Sequence, residues 1–456
     1  MSNSRVRSAL IGSAALALVL TACGGGGATD DGVEGGEAPE AGGDGDCAEF
    51  EEYGTFDGDH VTIYSSIRDV EADQLAESWA QFEECTGIQV EHNGSGEFET
   101  QIRVQAEGGN PPDLAVFPQP GLLQTMVDGG YVVPAPETVE TNTDDGWSED
   151  WKAYGTVDGT FYAAPLMASV KSFVWYSPQA FADNGYEVPE TWSEMMDLTQ
   201  QIADDHNDDG ARPWCAGIES GGATGWPATD WVEDAVLREA GAEVYDQWVD
   251  HEIPFNDPQI LASVNRVGDI LRSDDYVNGG FGDARTVATT SFNDAGLPIL
   301  DGDCFMMRMA SFYEAQWPEG TDVSPEGEAF AFYLPGDTTD ESPLLVAGEF
   351  VGVFNDEPAT QAFQAYLASE HWANSRVSIG GVTSANTGVD PENASSDILR
   401  LAIELLQDET ATSRFDGSDM MPAEVGAGSF WTAMTDWIDG STSAEDALDE
   451  IENSWR

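Results

Sequence analysis

At 456 residues the chain exceeds what one hydrophobic core usually holds, so two domains are expected. Its 85 acidic against 16 basic side chains give a formal charge of -69, which excludes nucleic acid and anionic membrane surfaces as partners, since both are held by basic patches. Only Lys152 and Lys171 represent lysine, and a surface this acidic repels itself in dilute buffer, so a saline habitat is the expectation.

In chain order, Arg5 and Arg7 precede an apolar run over 9–20 that is about half the length of a bilayer span and reads as a signal peptide over residues 1–22. The run ends in Leu20-Thr21-Ala22-Cys23, which resembles the bacterial lipobox and implies cleavage before Cys23 and lipidation of that cysteine. Residues 23–46 are dominated by Gly, Asp, Glu, Ala and Pro, with Val33 the one large apolar side chain. Such a segment cannot offset its ordering entropy and reads as a disordered tether of about 25 Å reach. Together these features predict an extracytoplasmic protein, lipid-anchored to the outer face of the cell membrane. The four other cysteines, Cys47, Cys85, Cys215 and Cys304, allow three pairings, of which Cys47 with Cys85 and Cys215 with Cys304 is the expectation. No Cys-x-x-Cys spacing occurs and the five histidines are isolated, so zinc and redox chemistry are not indicated and no cofactor is expected.

After the tether, Val61 to Tyr64 reads as a buried strand, followed by a helix with Leu75, Trp79 and Phe82 on one face and Gly87 as its stop. A second strand at 88–90 leads through Asn93-Gly94-Ser95-Gly96 into a helix carrying Phe98 and Ile102, and 113–116 forms the third strand. This βαβαβ order gives a parallel sheet, and ligands of such sheets bind beyond the strand carboxyl ends. Ser66, Arg68, Glu97, Phe117 and Gln119 are thereby candidates for a binding edge whose hydroxyl, guanidinium, carboxylate, amide and aromatic groups suit a polyhydroxylated ligand. For Phe117 a place in the core, and for Glu97 a role at the helix N-terminus, remain open.

The run from Gly94 to Glu97 and the run Gly108-Gly109-Asn110-Pro111-Pro112-Asp113-Leu114-Ala115-Val116-Phe117 resemble the family 1 extracellular solute-binding proteins of ABC importers, which include the maltose-binding proteins. The resemblance implies an α/β, periplasmic-binding-protein-like fold of type II, with two lobes joined by a hinge and the ligand cleft between them. Lobes over 47–164 with 335–388 and over 165–334 with 389–456 are expected. Ala164-Pro165-Leu166 and Ser169 to Tyr176 resemble the family's crossing between lobes, with Ser169 and Lys171 as candidates. Lys171 can serve either a cleft contact or a structural salt bridge. Thr191-Trp192-Ser193-Glu194 reads as a capping box. The segments Trp214 to Ser220 and Ala223 to Trp231 are most similar to α-glucoside-binding members, and Trp226, in a Gly-rich, Pro-flanked stretch read as a loop, is a candidate stacking platform.

Further along, Asp301 to Phe312 resembles a strand and turn that offer Arg308 and a ligand-facing Phe312. Glu349-Phe350-Val351 resembles the return into the first lobe, and Trp431 resembles the stacking tryptophan of a C-terminal helix start. Glu219 and Asp419 can accept hydrogen bonds from hydroxyls, although isolated carboxylates in so acidic a chain also read as solvated surface. Trp79, Trp192 and Trp248 sit in helical patterns and read as core. Asp205, Asn207 and Asp209 open like a calcium loop, but Ala216 stands where the bidentate Glu belongs, so a solvated acidic turn is expected and no metal. Ser169 and Arg68 depart from the maltose binders, which makes another glycoside or sugar alcohol the expectation.

The function expected is capture of a sugar, an α-glucoside or related oligosaccharide, by hinge closure and delivery to ABC permease subunits, by a monomer and without catalysis. A compatible solute, polyamine or peptide on the same fold is the alternative. A glycoside hydrolase is a weaker one, because no nucleophile motif accompanies the many acids.

Overall fold

A computed structural model describes residues 47–455 apart from 281, 341 and 409. The expected signal peptide, the lipidated Cys23 and the tether lie outside the described residues. Among the described residues no helix is long and apolar enough to cross a membrane.

Two mixed sheets organise the chain. The first has the order Thr412–Phe415, Pro343–Val353, Leu114–Phe117, His60–Ser65, Gln89–Gly94, and Ala163–Val170 also pairs with Pro343–Val353. Its first three strands in sequence are parallel, with His60 opposite Gln89 and Ile63 opposite Leu114, as the βαβαβ reading requires. Alternate residues of Leu114–Phe117 serve two cores. Leu114 and Val116 pack with Leu75, Phe363 and Trp372, whereas Ala115 and Phe117 pack with Phe98, Ile102 and Leu123. This period of two is what a strand covered on both faces demands.

The helix expected through Leu75, Trp79 and Phe82 is two helices, Asp69–Glu77 and Ala80–Thr86. The break falls where the Ser78 hydroxyl donates to the Leu75 carbonyl and competes with the helical ladder. Gly87 ends the second helix with a φ of 78°, a conformation that favours glycine.

The second sheet runs Phe330–Tyr333, Phe173–Tyr176, Cys304–Arg308, Arg212–Cys215, Val277–Asn278. Helices around it close a core that holds Trp214, Trp231, Trp248, Val264, Met306 and Trp437. The capping box is formed: Glu194 N donates to Thr191 Oγ1 and Thr191 N to a Glu194 carboxylate oxygen at 3.3 and 3.2 Å. Only Lys171 and Ser172 separate strand Ala163–Val170 of the first sheet from Phe173–Tyr176 of the second. Disulfides join Cys47 to Cys85 and Cys215 to Cys304, with Cα atoms 5.3 and 5.6 Å apart, the expected pairing.

Candidate functional site

A cavity of about 260 Å³ lies between the two lobes, walled by residues from both. The elements around the first sheet supply Ser66, Arg68, Glu71, Glu99, Gln119, Glu349, Arg376 and also Ser169, which the expected boundary at 164/165 put in the second lobe but which sits in strand Ala163–Val170 of the first sheet; those around the second sheet supply Trp226, Phe292, Phe312 and Trp431. One wall is therefore hydroxyl, amide and charge, and the other is aromatic. Trp226 lies 5.0 Å from Phe292 and 6.0 Å from Phe312 by ring centroids, and Phe292 meets Phe312 edge-on at 6.4 Å.

Local sequence sets this aromatic wall. Trp226 opens the helix Trp226–Glu239, with Pro227 in its first turn, where the missing N–H costs nothing. The loop expected around Trp226 is thus a helix start. Gly225 precedes it at a φ of 113°, and a Cβ there would stand 2.3 Å from the Trp431 carbonyl oxygen. Glycine therefore lets the two tryptophan-bearing helices meet. Trp431 begins the helix Trp431–Asp439, as the resemblance implied.

Beneath the cavity a row of buried charges fixes Lys171. Its Nζ is 3.1 Å from Asp230 and 3.1 Å from Asp416, and it lies 4.6 Å from the centre of the Trp226 ring. Arg308 Nη1 donates to Asp230 at 2.8 Å and Arg308 Nε to Asp234 at 2.9 Å. Arg238 pairs with Asp234 and donates to the Leu334 and Pro343 carbonyls. Burial alone would depress the Lys171 amine, but the carboxylates of Asp230, Asp416 and Asp419 outweigh it and hold the ammonium charged. Burial likewise works to raise Asp416, and Lys171 with its hydrogen-bonding neighbours holds it below the usual carboxylate range. Asp419 is pushed up by burial and by Asp416.

On the opposite wall, burial and the Glu349 charge raise Glu71 to about 7, against Arg376, Gln316 and Arg68. Burial also raises Glu99 and Glu349, and it lowers Arg376 to about 10. At about 7, Glu71 lies close to the switch between donor and acceptor at neutral pH, which suits it to hydroxyl partners of either sense.

Of the residues singled out in the sequence, Ser66, Arg68, Gln119, Ser169, Lys171, Trp226, Phe312, Asp419 and Trp431 meet at the cavity. Phe117 and Phe350 do not. They sit opposite each other in neighbouring strands with no exposure, in the core beneath the wall. Arg308, 2% exposed, serves the ion-pair row and does not line the cavity. Glu97 is exposed beside Gly222, and Glu219 accepts from Gly221 N in its own loop. In the candidate calcium turn, Asp205 accepts from the Tyr186 hydroxyl and Asp209 pairs with His206. Among the described residues, no group of three or more His, Cys, Asp or Glu side chains gathers as a metal site.

Sequence reasoning missed Glu71, Glu99, Asp230, Asp234, Phe292, Glu349 and Arg376. For Asp230 and Asp234 a signal existed: with Arg238 they recur every four residues and so share one face of a helix.

Comparison with known proteins agrees with this geometry. Residues 68–373 match the bacterial extracellular solute-binding proteins. The chain is 39% identical over 407 residues to the osmoprotective compounds-binding protein GgtB of Synechocystis sp., covering 88% of this chain and 94% of that protein. It is 37% identical over 422 residues to the alpha-glucosides-binding periplasmic protein AglE of Rhizobium meliloti, covering 89% of each. The solved structure of the bacterial solute receptor AcbH superposes with a TM-score of 0.72 at 18% identity, over 87% of this chain and 98% of that one. Maltose-bound MalE3 of T. maritima gives 0.68 at 16% identity, over 86% and 98%. With an interlobe cavity, a shared type II fold and a match over two thirds of its length, this chain belongs to the bacterial extracellular solute-binding proteins.

Proposed function

We propose that the protein captures a neutral sugar, an α-glucoside or a related glycoside, between its lobes and delivers it to the permease of an ABC importer. The observation that carries this reading is the pairing of an aromatic wall, Trp226, Phe292, Phe312 and Trp431, with a wall of hydroxyl, amide and charged groups across one cavity. A pyranose has an apolar face for the first and a polar edge for the second. The similarity to an α-glucoside binder supports the same ligand class. Hinge closure then follows from ligand contacts made on both lobes at once, which favour the closed state by their differential affinity.

The function requires no covalent step, and turnover of aryl glycosides is not expected. Attachment through Cys23, a monomeric state and a saline habitat belong to the same proposal. A second reading, an osmoprotective solute, is favoured by the similarity to GgtB, an osmoprotective compounds-binding protein.

A thermal-shift screen of the mature chain against mono-, di- and oligosaccharides, polyols and zwitterionic solutes separates the two. A sugar at a hundredfold excess over its Kd adds about 2.7 kcal/mol, and Trp431→Ala and Trp226→Ala each remove most of that gain. A response to zwitterionic solutes alone transfers the protein to the second reading.

A further inference from the structure

Three residues at the cavity tie its two walls together. Gln316, at the end of the turn Ser311–Gln316 in the second lobe, donates from Nε2 to Glu71 Oε1 of the first lobe at 3.0 Å. Its own oxygen accepts from Asn293 Nδ2 at 2.9 Å, which fixes the amide so that its NH₂ faces Glu71. Glu71 is carried by helix Asp69–Glu77, directly after the first strand. Arg68, Glu349 and Arg376 are the charged groups that act on it. A second interlobe contact lies where the Glu97 carboxylate abuts Gly222: a Cβ at that glycine would stand 3.0 Å from Glu97 Oε2.

We propose that Asn293, Gln316 and Glu71 form a clasp between the lobes that retains the ligand and sets its length, so that the closed protein accepts one or about two sugar rings and rejects longer chains. The cavity volume, about 260 Å³, falls just under the range of roughly 300–1,000 Å³ typical of drug-sized ligands, and the Gln316–Glu71 bridge bounds it where the two lobes meet. Gln316 and Glu71 are thus specificity-determining residues for the site. The length limit rests on the sugar reading above, whereas the retention role holds for any ligand of this cavity.

The test uses the mature protein, a disaccharide and a tetrasaccharide of the same glucoside series, and stopped-flow release rates. At pH 8, where Glu71 is ionised, losing this hydrogen bond accelerates release about ten-fold in Gln316→Ala, and the same variant admits the tetrasaccharide that the parent excludes. Gln316→Glu sets two carboxyls against each other. Its release is fast at pH 8 and slows toward the parent rate at pH 5, where a shared proton restores the bridge. A residue that merely fills space shows no such rescue by acid. Parent-like release in both variants overturns the clasp, and so does a parent protein that binds both saccharides equally. If no saccharide binds, the sugar reading fails by itself, and the same variants are compared by release of whichever solute raises the melting midpoint, where parent-like rates again overturn the clasp.

Discussion

Lys171 stands at the crossing between lobes with its ammonium shared by Asp230 and Asp416 and its charge above the Trp226 ring. Removing one member of a buried ionic set leaves the others uncompensated, at a cost of about 3–5 kcal/mol. Lys171→Met is therefore expected to lower stability by that order in urea unfolding. The loss is smaller in acid, because Asp416, freed from the lysine, can take up a proton. An unchanged unfolding free energy at neutral pH would remove the lysine from its structural role. This residue was legible as one of two lysines in the chain, although scarcity alone left a cleft contact and a salt bridge open. In the fold it lines the cavity and holds the ion pairs at once. Phe117 and Phe350 show the opposite case: the resemblance located their strands, but parity decides which face each side chain takes, and both face the core. Glu71, Glu349 and Arg376 come from three distant segments, and in so acidic a chain an isolated carboxylate carries no local mark of burial.

At the scale of elements, the βαβαβ start was legible because strand and helix periods differ, and its strands pair as expected. The start of helix Trp226–Glu239 was not read, although Pro227 after Gly225 is a signal of helix entry. That junction makes a strong prediction. Gly225→Ala puts a side chain into a left-handed backbone and against the Trp431 carbonyl, at about 1–3 kcal/mol. Because the strain falls between the helices that carry Trp226 and Trp431, ligand affinity should drop at least ten-fold in calorimetry while the far-ultraviolet circular dichroism stays that of the parent. Parent-like affinity would dissociate the two tryptophans from one site.

For the whole molecule the formal charge of -69 sets the response to solution conditions. The Debye length falls from roughly 10 Å at 0.1 M salt to about 3 Å at 1 M, so self-repulsion weakens and the melting midpoint should rise over that range. Acid acts in the same direction within a defined window. Glu71 keeps its proton up to about 7 in the fold, against 4.5 ordinarily, and Glu99 and Glu349 are raised as well. Between those values the folded state holds more protons than the unfolded one, so stability falls as pH rises through the window. Calorimetric scans at pH 5.5 and 7.5, in low and high salt, are expected to give the lowest midpoint at pH 7.5 in low salt. A midpoint that falls on adding salt would contradict this account. Family, fold class and three of the four aromatic wall residues, Trp226, Phe312 and Trp431, were legible at this scale because long motifs carry them, whereas Phe292 and the charged wall exist as site only once distant segments meet.

The crossing at Lys171 and Ser172 has a mechanical consequence. Two residues offer no slack between the sheets, and both are pinned to one helix, Lys171 to Asp230 and Ser172 through its hydroxyl to Asp234 at 2.6 Å. A crossing held in this way favours a pivot over a slide. If the lobes open about it, the motion is that of a jaw, in which the gape widens at its rim more than at the throat beside Lys171, and an arriving solute would meet the floor before the walls close over it.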